Sequence, residues 1–514
     1  MKLFLQKHQH TFVLLAFIAL KFGLHGIIIN PLYELHRDEY LHLNQGQHLA
    51  WGYLSVPPVT SWISLLILWL GNSIFWVKFF PALFGAITLF FVWKITEILG
   101  GNLFAKSLAV VAVLFSALVR LNMLFQPNSF DTMVWTFMFW VLLKYIENQE
   151  NKWLYVFAVA VALGFLNKYN VVFLVLGTLA ALLLSPYRNV FINKHFYLAL
   201  LLAALLVAPN LWWQYTNHFP VLYHMKLLKA TQLKNVETGN FLKEQMLFFF
   251  NAIFVLLAAI YALIFYKNFA KYRLFLFALV AVLGLYIYLK GKGYYAIGLY
   301  PAYMAFGAVF LENLIKNNIV KTVLLLVPLV IFSFGFKYLF PVDSPEQVQK
   351  EAAVYDDLGL TRWEDGKLHA LPQDYADMLG WKELAQKVDA AYEQIGDTAH
   401  TLVYCDNYGQ AGAINYYSRH AGHIGAVSFS ADYLNWFDLS RPVKHIVMVK
   451  DLGDTDTTRS DERPLFQEIK YYGKIENPFA REQGTRIYIL KNARTDINAI
   501  LKKEIAEEWQ QIHQ

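Results

Sequence analysis

The stretch TFVLLAFIALKFGLHGIIINPLYELHRDEYLHL, residues 11–43, joins an apolar segment to a strongly polar one. The apolar part, residues 11–29, is about as long as the hydrocarbon core of a bilayer requires, which predicts a transmembrane helix. Arg37, Asp38 and Glu39 follow at the predicted membrane edge. Charged side chains are costly there unless they are paired or face a polar cavity, so this loop is the first candidate for a functional site.

The N-terminal segment also has one feature of a signal peptide, because Lys2 and Lys7 precede the apolar run. The run is longer than the apolar core of a signal peptide, however, and the following HGIIINPLY offers no small-residue cleavage site. We therefore expect this first helix to be retained.

The composition is typical of a polytopic membrane protein. Of the 514 residues, 57% are hydrophobic and 16% are charged, against about 25% charged in a soluble domain. The net charge of +6 comes from basic residues scattered over short loops, which suits contact with anionic lipid and not a nucleic-acid surface. The single cysteine, Cys405, excludes an intrachain disulfide and a cysteine metal cluster.

Apolar segments of spanning length recur up to about residue 340 and then stop, which predicts about eleven transmembrane helices. We place them at residues 11–30, 74–99, 103–121, 129–146, 153–167, 169–185, 196–213, 246–266, 272–290, 294–312 and 319–340. The segment VTSWISLLILWLG, residues 59–71, is too short to cross comfortably and is predicted to be a juxtamembrane helix in the interface.

Basic residues are more frequent in every second loop, which favours a cytoplasmic N-terminus. About eleven crossings then place everything after Phe340 outside the cytoplasm. This tail contains short β-rich runs, among them HTLVYC, KHIVMVKDLG and TRIYILKNA, between polar or helical segments. We therefore predict a transmembrane domain at residues 1–340 and an extracytoplasmic α/β domain at residues 341–514.

With this topology the unusual charged and aromatic residues fall on the outer side, which suggests that they converge on one site. They are Arg37, Asp38, Glu39, Arg120, Asn128, Asp131, Lys168, Tyr169, Lys290, Lys292, Tyr294 and Tyr295. Most of them also have a structural interpretation. Asp131 is placed to cap a helix, and Lys168 and Arg120 are placed to reach lipid headgroups. The pair Tyr294–Tyr295 suits an aromatic belt. The Asp38–Glu39 pair serves no obvious packing need.

A metal site is not indicated. Asp38 and His42 are four residues apart and would share a helical face, but an interfacial histidine is the simpler interpretation. We expect no required cofactor, and a divalent metal is possible but unsupported. Arg37 beside Asp38 favours the ionised carboxylate, which is the form that a general base requires.

The first outer loop, with its Asp–Glu pair followed by HLAWGYLSVPPVTSWI, resembles the dolichyl-phosphate-mannose protein mannosyltransferase-like glycosyltransferases of bacteria. These are relatives of the lipid A aminoarabinose transferase and have the GT-C fold. Further landmarks follow in family order: MLFQPNSFDTMVW, GFLNKYNVVFL, APNLWWQYTNHFP and KGKGYYAIGLYPAYMAFGAVFLE. The resemblance spans roughly residues 11–340, with a looser match in the tail at CDNYGQAGAINYYSR.

The resemblance implies a sugar donor on a polyprenyl phosphate, which an extracytoplasmic acceptor attacks with inversion at the anomeric carbon. The family's first-loop aspartate maps onto Asp38 and its neighbour onto Glu39. The family's K-x-Y-Y landmark maps onto residues 292–295, close to where the donor phosphate is expected.

This chain departs from the family pattern at two places. The run SVPP at residues 55–58 lacks the polar group that many relatives present there, which bears on sugar specificity and on any metal or phosphate contact from this loop. QPNSFD stands where relatives often have Thr-Pro-Asp, so Asp131 need not be a one-for-one replacement.

The predicted site therefore has a catalytic part, Asp38 and Glu39, and a part that binds the donor phosphate and the substrates. The second part comprises Arg37, Arg120, Asp131, Lys168, Lys292, Tyr294 and Tyr295. The predicted reaction moves a sugar to a hydroxyl or phosphate of a glycolipid, lipid A, a protein or an envelope glycan, in the bacterial inner membrane.

Two other functions remain open at this point. A transporter or flippase of a lipid-linked or anionic substrate is one, although such proteins usually have repeated halves and charges deep within their spans. A membrane-anchored binding or sensing protein is the other, and it would leave the outer-loop residues unexplained.

Overall fold

The computed structural model describes residues 2–512, without the side chains of residues 2–7 and 235. Up to residue 339 the chain is helical. The helices are α1 Lys2–Ile28, α2 Arg37–Gln47, α3 Val59–Trp69, α4 Ile74–Ile98, α5 Leu103–Leu114, α6 Leu118–Leu121, α7 Pro127–Asn148, α8 Lys152–Asn167, α9 Val171–Leu183, α10 Lys194–Thr216, α11 Pro220–Thr231, α12 Thr238–Leu247, α13 Ile253–Phe265, α14 Arg273–Tyr288, α15 Tyr300–Leu314 and α16 Asn318–Leu339.

Cap residues and prolines determine where several helices begin. The Asn102 side chain accepts a hydrogen bond from the backbone N–H of Ala105 at 3.2 Å and starts α5. The Asn317 side chain caps α16 in the same way, and Pro127 is the first residue of α7. Such residues satisfy or remove the N–H groups that the start of a helix leaves free, and so they divide a nearly continuous apolar sequence into separate helices.

Within residues 2–512, six helices are long and apolar enough to cross a membrane, or up to eight if each of two bent pairs counts as one span. One bent pair turns by 108° between α9 and the short 3₁₀ helix Pro186–Ile192, and the other turns by 60° between α12 and the segment Phe250–Phe265. Each predicted apolar segment overlaps at least one helix. The multi-pass helical architecture is thereby confirmed, while the number of eleven crossings stays a prediction.

The most buried part of the bundle is α15 with the turn before it. In the span Gly293–Leu314, 78% of the most apolar stretch is buried, whereas the corresponding share is 11% in α10 and in α16. A side chain at Gly307 would collide with the backbone oxygen of Val255, so the missing side chain allows α13 to pack closely on α15. The two exposed helices, α10 and α16, have the apolar surfaces expected of helices that face lipid.

The tail forms a small α/β unit around a five-stranded sheet. Its helices are α17 Pro345–Lys350, α18 Ala352–Asp357, α19 Gln373–Ala376, α20 Trp381–Ile395, α21 Tyr408–Tyr417 and α22 Ile497–Ile512. Its strands are β1 Thr401–Cys405, β2 Val427–Ser428, β3 His445–Lys450, β4 Phe466–Lys474 and β5 Arg486–Ala493. The strand order is β2-β1-β3-β5-β4, with β1 parallel to both neighbours and β5 antiparallel to both of its own. This confirms the predicted α/β tail.

The tail does not form its core alone, because it packs against α2. Tyr40 of α2 and Trp381 of α20 are both fully buried, with their ring centroids 5.8 Å apart. Glu34 accepts hydrogen bonds from the first backbone N–H groups of α20, 2.7 Å from the nitrogen of Trp381. One hydrophobic cluster therefore includes α2, α3 and the sheet. The domain division at residues 340/341 stays a prediction.

Candidate active site

The site is built around the first turn of α2, where a histidine caps the helix. His36 Nδ1 accepts a hydrogen bond from the backbone N–H of Asp38 at 3.2 Å, and the N–H of His36 donates to Glu39 Oε2 at 2.8 Å. This reciprocal cap fixes the start of α2 and places both carboxylates in its first turn, where the helix dipole favours negative charge.

Glu39 points into the protein interior. Its side chain is fully buried, and its carboxylate lies 2.6 Å from Lys78 Nζ of α4. The other oxygen accepts a hydrogen bond from the backbone N–H of Phe125 at 2.7 Å. A buried carboxylate is tolerated only with such partners, and these contacts tie α2 to α4 and to the loop that precedes α7.

Asp38 points the other way and is about one-third exposed. Its Oδ1 accepts a hydrogen bond from the hydroxyl of Tyr408 at 2.7 Å, and its Oδ2 accepts one from Gln126 Nε2 at 2.9 Å. Burial acts to raise the pKa of Asp38, but electrostatic interactions with the His36 ring and the Arg37 guanidinium, together with the Tyr408 hydrogen bond, outweigh it. The pKa of this carboxyl is therefore below its usual range, and Asp38 is ionised at neutral pH.

A line of amide side chains connects Asp38 to Lys168. Gln126, which donates to Asp38, accepts a hydrogen bond from Asn128 Nδ2 at 3.0 Å. Asn128 in turn accepts one from Lys168 Nζ at 2.7 Å. Lys168 Nζ lies 4.7 Å from the ring centre of Tyr295, which is within cation–π distance. Hydrogen bonds thus connect Asp38, the base candidate, to Lys168, one of the residues predicted to bind the donor phosphate.

The second predicted lysine lies beside the same tyrosine pair. Lys292 Nζ is 5.9 Å from the ring centre of Tyr294, and the rings of Tyr294 and Tyr295 contact each other edge to face. Lys292 also forms an ion pair with Glu364 of the tail at 3.1 Å. Two lysine ammonium groups and two tyrosine rings therefore lie close together, and ammonium groups are common ligands of phosphate.

Asp131 lies below this surface and is buried. One of its oxygens accepts a hydrogen bond from Asn170 Nδ2 at 3.0 Å, and the same amide donates to the backbone oxygen of Tyr295 at 2.9 Å. The other oxygen has no hydrogen-bond partner among the residues that the structure describes. Asp131 thus supports the backbone that carries Tyr295.

The two predicted arginines contact the tail. Arg120 of α6 forms an ion pair with Asp374 at 2.7 Å. The guanidinium of Arg37 lies 4.6 Å above the ring of Tyr408. Within residues 2–512, no group of three or more histidine, cysteine, aspartate or glutamate side chains is arranged to hold a metal ion.

The structure thus brings together most of the residues that the sequence predicted and adds several that it did not. Gln126 lies in the second-loop landmark, two residues before the predicted Asn128, and Tyr408 lies in the looser tail match, so those motifs contained a signal for Gln126 and Tyr408. Glu364 and Asp374 come from a tail segment without a distinguishing motif.

The architecture is that of the GT-C fold, as a comparison with solved structures shows. The chain is similar to ArnT from Cupriavidus metallidurans bound to undecaprenyl phosphate, with a TM-score of 0.63 and 12% identity over 93% of this chain and 98% of that one. The same protein in the apo state gives a TM-score of 0.62 and 12% identity over 95% and 99% of the two chains. At this identity the similarity establishes the fold.

The sequence comparisons match parts of the chain to a known family and to one relative. Residues 55–213 match the family described as dolichyl-phosphate-mannose-protein mannosyltransferase. The lipid A galacturonosyltransferase RgtD of Rhizobium johnstonii is 29% identical over 182 residues, which are 34% of this chain and 37% of that protein. The match thus spans little more than a third of the relative's length. Both sequence matches are partial, and each is to a sugar transferase.

Proposed function

We propose that this protein is an integral-membrane glycosyltransferase that moves a sugar from a polyprenyl phosphate to an acceptor, with inversion at the anomeric carbon. The observation that carries the proposal is the continuous surface from Asp38 through Gln126 and Asn128 to Lys168 and the tyrosine pair. It combines a partly exposed, ionised carboxylate with cations suited to a phosphate.

The reaction needs a base and a stabilised leaving group. An acceptor hydroxyl oxygen attacks the anomeric carbon, its proton passes to a carboxylate oxygen of Asp38, and the bond between that carbon and the phosphate oxygen breaks. The lipid phosphate leaves with the bonding electron pair. Lys168 and Lys292 lie where they would stabilise its negative charge, and one such contact in a water-poor site is worth about 3 kcal/mol.

In this proposal Glu39 has a positioning role. Its carboxylate is buried and holds Lys78 and the backbone of Phe125, so it fixes the turn from which Asp38 projects. Arg37 and Arg120 lie at the edge of the site, against the tail. Asp131 and Asn170 hold Tyr295 from below.

The donor is inferred from the relatives and from the site chemistry. The similar ArnT structure contains undecaprenyl phosphate, and the relative RgtD is a lipid A galacturonosyltransferase. A polyprenyl-phosphate sugar suits a cationic site at the end of a multi-pass helical bundle. We place the protein in the bacterial inner membrane with its site and tail outside the cytoplasm. The acceptor belongs to the lipid A, glycolipid, protein or envelope-glycan class.

Purified protein tests this proposal directly. Incubated with polyprenyl-phosphate sugars and an envelope lipid extract, it should release free polyprenyl phosphate together with a glycosylated acceptor. Asp38→Asn should slow this release by about a hundredfold or more, because it removes the general base. Asp357→Asn, which alters an exposed tail carboxylate, is the matched control and should leave the rate unchanged. Equal rates for wild type and Asp38→Asn would refute the base assignment.

A further inference from the structure

The tail reaches the proposed base through one side chain. Tyr408 is the first residue of α21, and its hydroxyl donates to Asp38 Oδ1 at 2.7 Å, although the two residues are 370 positions apart. Gln126 donates only to Oδ2 of Asp38. Among the described residues, no side chain of a membrane helix donates a hydrogen bond to Oδ1, the oxygen that Tyr408 contacts.

The start of α21 is held closely against α2. The Asn407 side chain caps α21 by accepting from the backbone N–H of Gln410 at 3.1 Å. A side chain on Gly412 would lie 2.7 Å from Cβ of Tyr40, and one on Gly409 would lie 3.3 Å from Cβ of Arg37. Two glycines therefore allow α21 to approach α2 at the first turn, where Asp38 lies. Such packing gives the Tyr408 hydroxyl a fixed position.

The contact has two consequences for the carboxylate of Asp38. With Tyr408 on one oxygen and Gln126 on the other, the carboxylate cannot rotate. Each oxygen retains a lone pair, because an ionised carboxylate has about four acceptor positions in total. The proton of an acceptor hydroxyl can therefore be taken up without loss of either contact.

We propose that Tyr408 is a positioning residue for Asp38, supplied by the tail, and that the tail thereby completes the active site. The hydroxyl fixes the rotamer of the carboxylate and stabilises its charged form. This inference rests on the proposed function, since the catalytic benefit of a fixed carboxylate exists only if Asp38 is the base.

The hydrogen bond from Tyr408 lowers the pKa of Asp38. A hydrogen-bond donor favours the charged carboxylate, so removal of the hydroxyl must raise the pKa of Asp38. The other titratable or charged groups near Asp38 stay in place in that variant. They are His36, Arg37 and His42 of its own segment, Asp374 of α19, and Tyr294 of the turn before α15.

The experiment compares two tyrosine variants of the same helix. Tyr408→Phe removes the hydroxyl and keeps the ring under Arg37. Tyr416→Phe is the matched control, because its hydroxyl also joins the tail to the membrane helices but donates to the backbone oxygen of Asn72 at 2.8 Å. The readout is the pH dependence of carbodiimide labelling at Asp38, measured by peptide mass spectrometry in the full-length protein, together with the pH profile of kcat/KM.

In Tyr408→Phe, the labelling midpoint of Asp38 and the acid limb of kcat/KM should both move to higher pH by about one unit. Tyr416→Phe should move neither. An unchanged midpoint in Tyr408→Phe, or an equal shift in Tyr416→Phe, would overturn the positioning role. A wild-type protein without transferase activity would contradict the proposed function. The effect of Tyr408 on Asp38 could still be measured in that case, because labelling requires no turnover.

Discussion

Asp38 and Glu39 are neighbours in the chain, yet their side chains have opposite environments. Successive residues of an α-helix point about 100° apart, so the first turn of α2 directs Asp38 to the site and Glu39 into the interior. Adjacent acids at a membrane edge suggest a shared chemical role. The structure gives Asp38 a partly exposed position and buries Glu39 against Lys78, and on this difference we base the proposal of one base and one positioning carboxylate.

The pH dependence of transfer follows from the charges around Asp38. Because its pKa is below the usual range, the base is ionised at neutral pH, and activity should be lost only as the pH falls through that low pKa. The acid limb of kcat/KM should therefore lie below the pKa of an ordinary aspartate. The measurement is the pH profile of kcat/KM for the wild-type protein. An acid limb in the pH range where histidine titrates would assign the base to another residue.

The buried pair Glu39–Lys78 should matter for stability. Glu39→Gln leaves the ammonium of Lys78 buried without its counter-charge, which should cost about 3–5 kcal/mol. The control is Glu507→Gln, which breaks the exposed pair with Lys503 and should cost at most about 1 kcal/mol. Thermal unfolding in detergent distinguishes the two. Similar losses of stability in both variants would show that the buried Glu39–Lys78 pair matters no more for stability than an exposed pair.

At the scale of elements, one tail segment covers the cationic part of the site. Residues 360–374 place Glu364 on Lys292 and Asp374 on Arg120. Gly359 and Gly366 have positive φ angles of 71° and 80°, which allow the sharp turns at its start and within it. Two cations predicted to bind substrate are thus neutralised by carboxylates of a single segment.

Glu364 should compete with the donor for Lys292. Glu364→Gln removes the competing charge, so the KM for the polyprenyl-phosphate donor should fall by up to about fivefold, the range of a half-exposed ion pair. Asp365→Asn is the control. Asp365 is next to Glu364 in the chain, but its carboxylate pairs with His369 at 3.0 Å and not with Lys292. Steady-state kinetics measure both. An unchanged KM in Glu364→Gln would separate Lys292 from the donor phosphate.

At the scale of the whole molecule, the helix that carries Asp38 shares one hydrophobic cluster with the tail. Trp381 of the tail is fully buried against Tyr40 of α2, so Trp381→Ala should destabilise the protein by about 3–5 kcal/mol and also slow transfer. Tyr471→Ala, at a half-exposed position in β4, should change neither the stability nor the rate of transfer. A protein that keeps full activity and stability without Trp381 would show that α2 does not depend on the tail.

The sequence was informative where the physics is local. Apolar runs of spanning length predicted the helices, and β-branched runs predicted the tail strands, because both patterns depend on neighbours within a few residues. The landmarks also indicated that Asp38, Lys168 and the tyrosine pair belong together, and the distances agree with that expectation. Their roles in substrate binding and catalysis remain predictions.

Other features could not be derived from local patterns. Tyr408 meets Asp38 across 370 residues, and Asp374 meets Arg120 across 254, through packing of the tail on α2. Nothing in the immediate sequence of Asp374 distinguishes it from other exposed acids. The burial of Glu39 likewise depends on Lys78 of another helix, whose position only the assembled bundle determines.

In the proposed mechanism, Asp38 and the lysine–tyrosine cluster, Lys168, Lys292, Tyr294 and Tyr295, form one donor site. An experimental structure with a polyprenyl phosphate bound tests it most directly. The phosphate should lie within about 4 Å of the side-chain nitrogens of Lys168 and Lys292, with Glu364 displaced from Lys292 and the Asp38 carboxylate facing the same space. A phosphate bound at the opposite end of the bundle, or walled off from Asp38 by protein side chains, would contradict the account.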